Sequence, residues 1–253
     1  MMEYKEIVSQ YANFHDSFDK AYIGVPKGIG GLKKPYYGKL NKFLKKYPDF
    51  NVKAMPTLLY MHGSSGFLKG KKYRKWVVQK SEMIFIGLNS FAVKKRPTYL
   101  SPAPKEEYER VHHFRQAELN YALERVEELN FIDKDNIFLM GNSEGALAAG
   151  VCKRKLFKAR VLISWGCEGG YYSKSYKIGA DKETPILNII GLEDQYFGVY
   201  CEYGDFEKGH CAKALAKYPN SKVVLLPTVS HNALESAYTK REIIDFLNYW
   251  KKR

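Results

Sequence analysis

A serine between two glycines is the first group in this chain that could carry out chemistry. Residues 141–145 read Gly-Asn-Ser-Glu-Gly and fit the pattern G-x-S-x-G. The motif follows a short apolar run and precedes a segment of small residues, which is typical of a serine held on a sharp strand-to-helix turn. The two glycines leave room for the neighbouring strand and helix. The pattern predicts that Ser143 is a nucleophile; the alternative is an ordinary turn.

A serine hydroxyl is a weak nucleophile, so it needs a base, and histidine is the usual one. Among the six histidines of the chain, only His210 and His231 follow Ser143, as the chain order serine, acid, histidine requires. His231 lies in a loop between the last predicted strand and the final predicted helix. Because that loop reaches the same sheet edge as Ser143, His231 is the predicted base. His210 lies in or beside a predicted helix and is interpreted as structural.

The base in turn needs a carboxylate that orients it. Asp194 comes soon after the predicted strand at 186–190. Its side chain is therefore expected at the same sheet edge, and Asp194 is the predicted acid. Three other carboxylates remain as alternatives: Glu168, Glu193 and, least favoured, Asp205.

Acyl transfer places negative charge on the carbonyl oxygen of the substrate, and N–H donors must stabilise it. One predicted donor is the backbone N–H of Glu144, which follows the nucleophile. The other is expected in segment 62–66, His-Gly-Ser-Ser-Gly, after the first apolar run. Ser64 is the first choice and Ser65 the second, whereas His62 is predicted to fix the loop rather than to act as a base. A plain turn is the alternative for this loop.

These residues depend on the elements that carry them. Six short apolar runs predict strands, at 57–61, 83–88, 137–140, 160–165, 186–190 and 222–226. The runs are continuous rather than alternating, which indicates strands buried on both faces. Helical patterns are found at 71–81, 106–129, 145–153, 206–217 and 234–250, with a further short helix at 36–46. The alternation predicts an α/β fold, with a mostly parallel central sheet that has helices on both faces.

Length and composition bound the organisation of the chain. With 253 residues, 45% hydrophobic and 27% charged, the sequence is that of a globular protein. No linker divides it, so we predict a single domain, 1–253, with a catalytic core at 51–253 and a less readily interpreted N-terminal extension at 1–50. The glycine-rich segment 24–31 is predicted to be a loop. No apolar run is long enough to predict a membrane span.

The net charge of +14 raises the question of a nucleic-acid partner. However, the basic residues are spread along the chain, and no nucleic-acid-binding motif accompanies them. We therefore predict a lysine-rich solvated surface, no specific nucleic-acid partner and a small-molecule substrate. Residues 1–6 contain no apolar signal region, so the expected location is the cytoplasm unless an export signal has been removed.

The sulfur and imidazole groups give no metal-binding pattern. None of the four cysteines belongs to a CxxC pair, which argues against a zinc site; they are Cys152, Cys167, Cys201 and Cys211. Reduced thiols are expected, and a bridge between Cys201 and Cys211 is the alternative. His112 and His113 are predicted to be a helix-surface pair rather than metal ligands, because neighbouring side chains diverge by about 100° on a helix. We expect no metal and no cofactor.

Taken together, the motifs resemble the α/β-hydrolase superfamily and, within it, the dienelactone-hydrolase-like group. The resemblance covers the chain from about residue 56 to about residue 250. It rests on the segments at 62–66, 141–145 and 191–194, on Asn89-Ser90-Phe91 with Arg96-Pro97, and on Ser230-His231. In one respect the chain departs from the group, since archetypal members carry cysteine as the nucleophile where this chain has Ser143.

The resemblance implies a serine hydrolase that cleaves a carboxylic ester or related acyl bond. Ser143, His231 and Asp194 would form its triad, an acyl-enzyme would be the intermediate, and no cofactor would take part. A serine peptidase or a thioesterase is an alternative on the same fold, because the triad does not encode the leaving group. A catalytically inactive hydrolase fold that serves as a binding module is another.

The substrate pocket is expected to be formed by three loops rich in Tyr and Phe, at 89–104, 166–182 and 195–210. These aromatic residues indicate a partly apolar acyl or aryl pocket, and the alternative is that they only pack a lid. The cationic side chains nearby would favour a negatively charged group; these are Lys94, Lys95 and Arg96. Arg115 and Glu118 are predicted to form a structural ion pair beneath the site.

Overall fold

The computed structural model describes residues 14–67, 70–204 and 206–253. Its helices are α1 Phe14–Asp19, α2 Leu40–Lys46, α3 Gly70–Trp76, α4 Lys105–Glu127, α5 Glu144–Val151, α6 Ala212–Leu215 and α7 Ala237–Lys251. Its strands are β1 Tyr22–Val25, β2 Tyr36–Lys39, β3 Met55–Met61, β4 Ile84–Gly87, β5 Ile132–Asn142, β6 Phe157–Ile163, β7 Ile186–Gly191 and β8 Lys222–Leu226. The alternative acid Asp205 lies outside the described residues.

The strands form one sheet in the order β2-β1-β4-β3-β5-β6-β7-β8. Strands β3 to β8 pair in parallel, whereas β1 is antiparallel to both β2 and β4. The predicted fold class, a mostly parallel sheet with helices on both faces, is confirmed. Because parallel strands all end at one edge, the loops after β5, β7 and β8 meet there.

Successive residues of the central strands enter two separate cores. Leu59 of β3 packs with α4 residues such as Leu119 on one face. Leu58 packs on the other face, with α7 residues such as Leu247. This two-sided burial explains why the strand sequences are continuously apolar. In the part of the chain that the structure describes, no helix is long and apolar enough to cross a membrane.

The N-terminal part of the sheet differs from the prediction. Residues 36–39, expected as the start of a helix, form β2, and the helix begins only at Leu40. Gly24 and Val25, expected in a loop, belong to β1. A Cβ at Gly24 would lie 2.7 Å from Cγ2 of Val78, so this glycine permits close packing of a strand rather than marking a turn.

The helix predicted at 206–217 is also wrong over most of its length. Only Ala212–Leu215 is helical. Gly209 has a φ of 66°, which interrupts a right-handed helix. Instead of continuing a helix, the backbone N–H groups of Lys208 and Gly209 donate to the carboxylate of Glu168.

Two of the four cysteines form a disulfide, so the expectation of reduced thiols is wrong for them. The bridge joins Cys167 to Cys211, with their Cα atoms 4.8 Å apart. The alternative pairing of Cys201 with Cys211 is also wrong, because Cys201 is a buried free thiol, as is Cys152. The loop after β6 brings Cys167 to Cys211 across 44 residues of sequence, a proximity that the sequence pattern does not contain.

Candidate active site

Ser143 stands on the turn that joins β5 to α5, with φ 53° and ψ −122°. This conformation is strained for a residue with a side chain. A Cβ at Gly141 would lie 2.1 Å from the carbonyl oxygen of Gly145, and a Cβ at Gly145 would lie 2.2 Å from that of Met61. Both glycines are thus required by the close approach of strand, turn and helix, which is the steric reason that the sequence predicted.

The structure brings the three residues predicted as nucleophile, base and acid into one hydrogen-bonded chain. The Nε2 atom of His231 lies 2.9 Å from Oγ of Ser143. Its Nδ1 atom lies 2.8 Å from Oδ2 of Asp194. Since a carboxylate can only accept, Nδ1 carries the proton, and Nε2 is then free to accept from the serine hydroxyl. The arrangement can withdraw a proton from Ser143.

Asp194 is fully buried and is held by the backbone of its own turn. Its Oδ1 accepts hydrogen bonds from the N–H groups of Tyr196 and Phe197, at 2.9 and 3.0 Å. The His231 loop is fixed in turn, because the hydroxyl of Ser164 donates to the carbonyl of His231 at 2.8 Å. Hydrogen bonds to the backbone therefore hold both Asp194 and the loop that carries His231.

The alternative acids and the other histidine lie in different surroundings. Glu168 accepts the backbone N–H groups of Lys208 and Gly209 and so holds a neighbouring loop. Glu193 is exposed. His210 accepts the N–H of Ala212 through Nδ1. None of these three side chains contacts His231 or Ser143 in the hydrogen bonds of the described residues.

The two predicted oxyanion donors border the same cavity as Ser143. Glu144 is the first residue of α5, and the first N–H groups of a helix have no partner within the helix. Ser64 lies in a turn that the N–H of Gly66 closes by donating to the carbonyl of Gly63, at 3.1 Å. The second choice, Ser65, borders the cavity too.

His62 connects this turn to the next loop. Its Nε2 accepts the N–H of Ser90 at 3.2 Å, and its Nδ1 donates to the carbonyl of Gly63 at 2.7 Å. Burial, followed by the charge of Arg115, holds the pKa of His62 well below its usual range. The imidazole is therefore neutral and serves to fix the loop, as the sequence predicted.

A buried ionic network, which the sequence analysis missed, surrounds the side chain of Glu144. Arg96 and Arg115 bind its Oε1 through Nη2 and Nη1, at 2.5 and 3.1 Å, and the hydroxyl of Tyr99 donates to Oε2 at 3.3 Å. Arg115 also forms the predicted pair with Glu118, at 3.0 Å. The spacing of Arg115 and Glu118 was visible in the sequence, but nothing there linked either arginine to Glu144.

The same network corrects an expectation about the pocket. Arg96 does not offer its charge to a substrate, because its Nε donates to Oγ of Ser90 at 2.8 Å and its Nη1 to the carbonyl of Pro97 at 2.8 Å. Lys94 and Lys95 are exposed and do not border the cavity. These three cations therefore do not favour a negatively charged group there.

The cavity beside Ser143 has a volume of 360 Å³. Residues from each of the three predicted loops line it, among them Tyr99, Tyr172 and Tyr196. His112 also borders the cavity and is only 2% exposed. The prediction that His112 lies on the helix surface is therefore wrong, since that face of α4 is turned to the site; His113 is half-buried.

Within the described ranges, no group of three or more His, Cys, Asp or Glu side chains is arranged to hold a metal ion.

Solved structures resemble this chain although no family model and no curated protein matches it. The esterase PE8 is 16% identical, with a TM-score of 0.56 over 78% of this chain and 94% of its own. A phospholipase/carboxylesterase from Dyadobacter fermentans is 18% identical, with a TM-score of 0.54 over 77% and 90%. TT1662 from Thermus thermophilus is 17% identical, with a TM-score of 0.59 over 79% and 91%. The sheet order, the strained serine turn and these likenesses together identify a protein with the α/β-hydrolase fold.

Proposed function

We propose that this chain is a serine hydrolase that cleaves carboxylic esters through Ser143, His231 and Asp194. The observation that carries the proposal is the continuous hydrogen-bonded chain from Asp194 through His231 to Ser143, on a turn that projects the hydroxyl into a cavity. The similarity of the fold to an esterase and to a phospholipase/carboxylesterase supports an ester as the substrate.

In the first half of the reaction, Nε2 of His231 takes the proton of Ser143 as Oγ attacks the carbonyl carbon of the ester. The electron pair of the carbonyl double bond moves to its oxygen. The N–H groups of Glu144 and Ser64 then donate to this oxyanion. When the double bond re-forms, the alkoxide leaves with the proton of His231, and an acyl-enzyme remains.

In the second half, water replaces the alcohol. His231 takes a proton from water, the resulting hydroxide attacks the acyl carbon, and the same two N–H groups stabilise the second oxyanion. Collapse returns the proton to Oγ of Ser143 and releases the carboxylic acid. Asp194 holds the His231 tautomer and stabilises the imidazolium in both halves.

A fluorophosphonate probe tests the proposal directly, because it reacts with activated serines. The wild-type protein should be labelled, and Ser143→Ala should not. The matched control is Ser175→Ala, which removes an exposed hydroxyl that does not border the cavity beside Ser143; it should still be labelled. Equal labelling of wild type and Ser143→Ala would contradict the assignment of Ser143.

Peptides and thioesters would undergo the same acyl chemistry at this site, so a substrate panel must separate them. One acyl group presented as a methyl ester, an amide and a thioester, with kcat/KM measured for each, ranks the three leaving groups. We expect the ester to be cleaved and the amide to be the poorest substrate. If wild type neither reacts with the probe nor cleaves any of the three, the inactive binding module becomes the better interpretation.

A further inference from the structure

Four tyrosine rings form a continuous arc around the cavity, and it ends on His231. We call Tyr99, Tyr108, Tyr172 and Tyr196 the tyrosine arc. Successive ring centroids lie 4.5, 5.2 and 5.6 Å apart, and Tyr196 lies 4.7 Å from the His231 ring. Successive planes are inclined by 62 to 74°. The wall therefore presents both ring faces and ring edges.

Such a wall favours an aromatic occupant over a saturated one. An aromatic ring can meet one tyrosine edge-on and another face-on, and each such pair contributes about 0.5–1.5 kcal/mol beyond the apolar area it buries. The volume of 360 Å³ is near the lower end of ligand pockets. A single aromatic ring with a short linker fits within this volume.

His112 supplies a polar group beside these rings. Its Nε2 lies 2.9 Å from the carbonyl oxygen of Tyr172 and therefore carries the proton. The neutral imidazole then has a lone pair on Nδ1, and this buried atom has no hydrogen-bond partner in the structure. A buried acceptor without a partner is costly, and His112 borders the cavity. A hydroxyl group on the occupant would supply the missing donor.

Resting on the proposed ester hydrolysis, we propose that the site takes an ester that bears a hydroxylated aromatic ring. The tyrosine arc contacts the ring, and Nδ1 of His112 accepts the hydrogen bond of its hydroxyl. His112 is thus a specificity-determining residue. The ring can belong to the acid or to the alcohol of the ester, and the substrates below distinguish the two.

The first experiment compares substrates on the wild-type protein. The acid series consists of the methyl esters of 3-phenylpropanoic, 3-cyclohexylpropanoic, 3-(4-hydroxyphenyl)propanoic and 3-(4-methoxyphenyl)propanoic acids. The alcohol series consists of the acetates of the corresponding propanols. The saturated spacer insulates the carbonyl group from the electronic effect of the ring substituent, so differences in kcat/KM report binding in the pocket.

We expect kcat/KM for the phenyl ester to exceed that for the cyclohexyl ester by about 2- to 12-fold in one of the two series. The series that shows this preference identifies whether the pocket binds the acid or the alcohol of the ester. In that series, kcat/KM for the hydroxyphenyl ester should exceed that for the methoxyphenyl ester by about 5-fold or more, because the methoxy oxygen cannot donate a hydrogen bond. Turnover without a preference for phenyl in either series would overturn the inference alone. Absence of both turnover and fluorophosphonate labelling would overturn the proposed function and, with it, the inference.

Two substitutions at His112 separate specificity from loop support. His112→Gln keeps a donor near Nε2, towards the carbonyl of Tyr172, and removes the Nδ1 acceptor. His112→Asn keeps an acceptor near Nδ1 and removes the donor. The ratio of kcat/KM for the hydroxyl and methoxy esters should fall towards 1 in His112→Gln and should be retained in His112→Asn. A ratio that is unchanged in His112→Gln, or lost only in His112→Asn, would overturn the role of His112. If thermal denaturation shows that neither variant is folded, the wild-type comparison of the hydroxyl and methoxy esters decides whether the site recognises the hydroxyl group.

Discussion

Arg96 and Glu144 form a buried ion pair, with Nη2 and Oε1 2.5 Å apart and side chains only 5% and 1% exposed. Glu144 is also the residue whose backbone N–H is proposed to stabilise the oxyanion. The pair therefore anchors the first turn of α5 to the loop that carries Tyr99. A carboxylate placed next to the nucleophile serves here as an anchor, since both arginines of the network neutralise it.

Glu144→Gln should lower the free energy of unfolding by about 3–5 kcal/mol, because it leaves Arg96 buried without its carboxylate. Urea denaturation measures the change. The matched control is Arg125→Gln, which breaks the exposed pair with Glu128, whose side chains are 43% and 56% exposed. That variant should lose less than about 1 kcal/mol. Similar losses in both variants would contradict the structural importance of the buried pair.

Asp194→Asn should lower kcat by about a thousand- to ten-thousand-fold while the protein remains folded. The amide of the new Asn can donate to Nδ1 of His231, which favours the tautomer that carries its proton on Nε2. A protonated Nε2 cannot accept the proton of Ser143. Steady-state kinetics on any ester that wild type cleaves measures the effect. Glu193→Gln is the control, since Glu193 is exposed, and its kcat should stay within about twofold of wild type. The reverse order would transfer the role of acid to Glu193.

Gly145→Ala should destabilise the protein by at least about 3 kcal/mol. Its new Cβ would lie 2.2 Å from the carbonyl oxygen of Met61, which belongs to the backbone and cannot move aside cheaply. Gly28→Ala is the control, because Gly28 has a φ of 84° but no atom within 4 Å of the added Cβ. It should cost only about 1–2 kcal/mol from the left-handed conformation. Thermal and urea denaturation compare the two, and equal losses would show that the contact at Gly145 is relaxed.

His62 should make the protein less stable as the pH falls below about 6.5. Its pKa is depressed in the folded state, so the unfolded chain binds the proton more readily, and stability rises with pH. The slope contributed by one such group approaches about 1.4 kcal/mol per pH unit below the unfolded pKa.

Urea denaturation at a series of pH values measures this slope. His62→Asn should have a shallower slope than wild type, whatever its stability at neutral pH. Leu59→Ala provides the control, because it removes buried apolar contacts without removing an ionisable group, and it should keep the wild-type slope. If His62→Asn also keeps the full slope, the acid sensitivity originates elsewhere.

Thiol titration tests the disulfide. Under denaturing but non-reducing conditions the protein should show two free thiols, those of Cys152 and Cys201, and after reduction it should show four. The denaturant is needed because both free cysteines are buried. Four thiols before reduction would contradict the bridge, and would agree with the cytoplasmic location expected from the sequence, where disulfides are rare.

The central sheet and the positions of Ser143, Asp194 and His231 could be predicted because strong local signals mark them. Continuous apolar runs identify strands buried on both faces, and the residues that follow such strands share one edge. Strands β1 and β2 carry no such signal, since they are short and contain glycine or half-buried tyrosine. Their identity depends on tertiary pairing, of β1 with β4 and of β2 with β1.

The parts of the site that could not be predicted are those set by contacts between distant segments. The sequence gives no indication that Arg96, 48 residues before Glu144, binds its carboxylate, or that Cys167 meets Cys211. Helix geometry separates His112 from His113, but it does not indicate which of the two residues borders the cavity. Ser90 and Arg96, which belong to the motifs that carry the resemblance, bind His62 and Glu144, respectively.

The turn that holds Asp194 also forms one end of the cavity wall, because Oδ1 of Asp194 accepts the N–H groups of Tyr196 and Phe197. Substitutions at different positions of the cavity wall therefore carry different risks for the triad. Changes at Tyr196 or Phe197 that shift the backbone would disturb the triad together with the pocket. Tyr172, on a separate loop, can be varied with less risk to the triad, so libraries aimed at new selectivity should begin there.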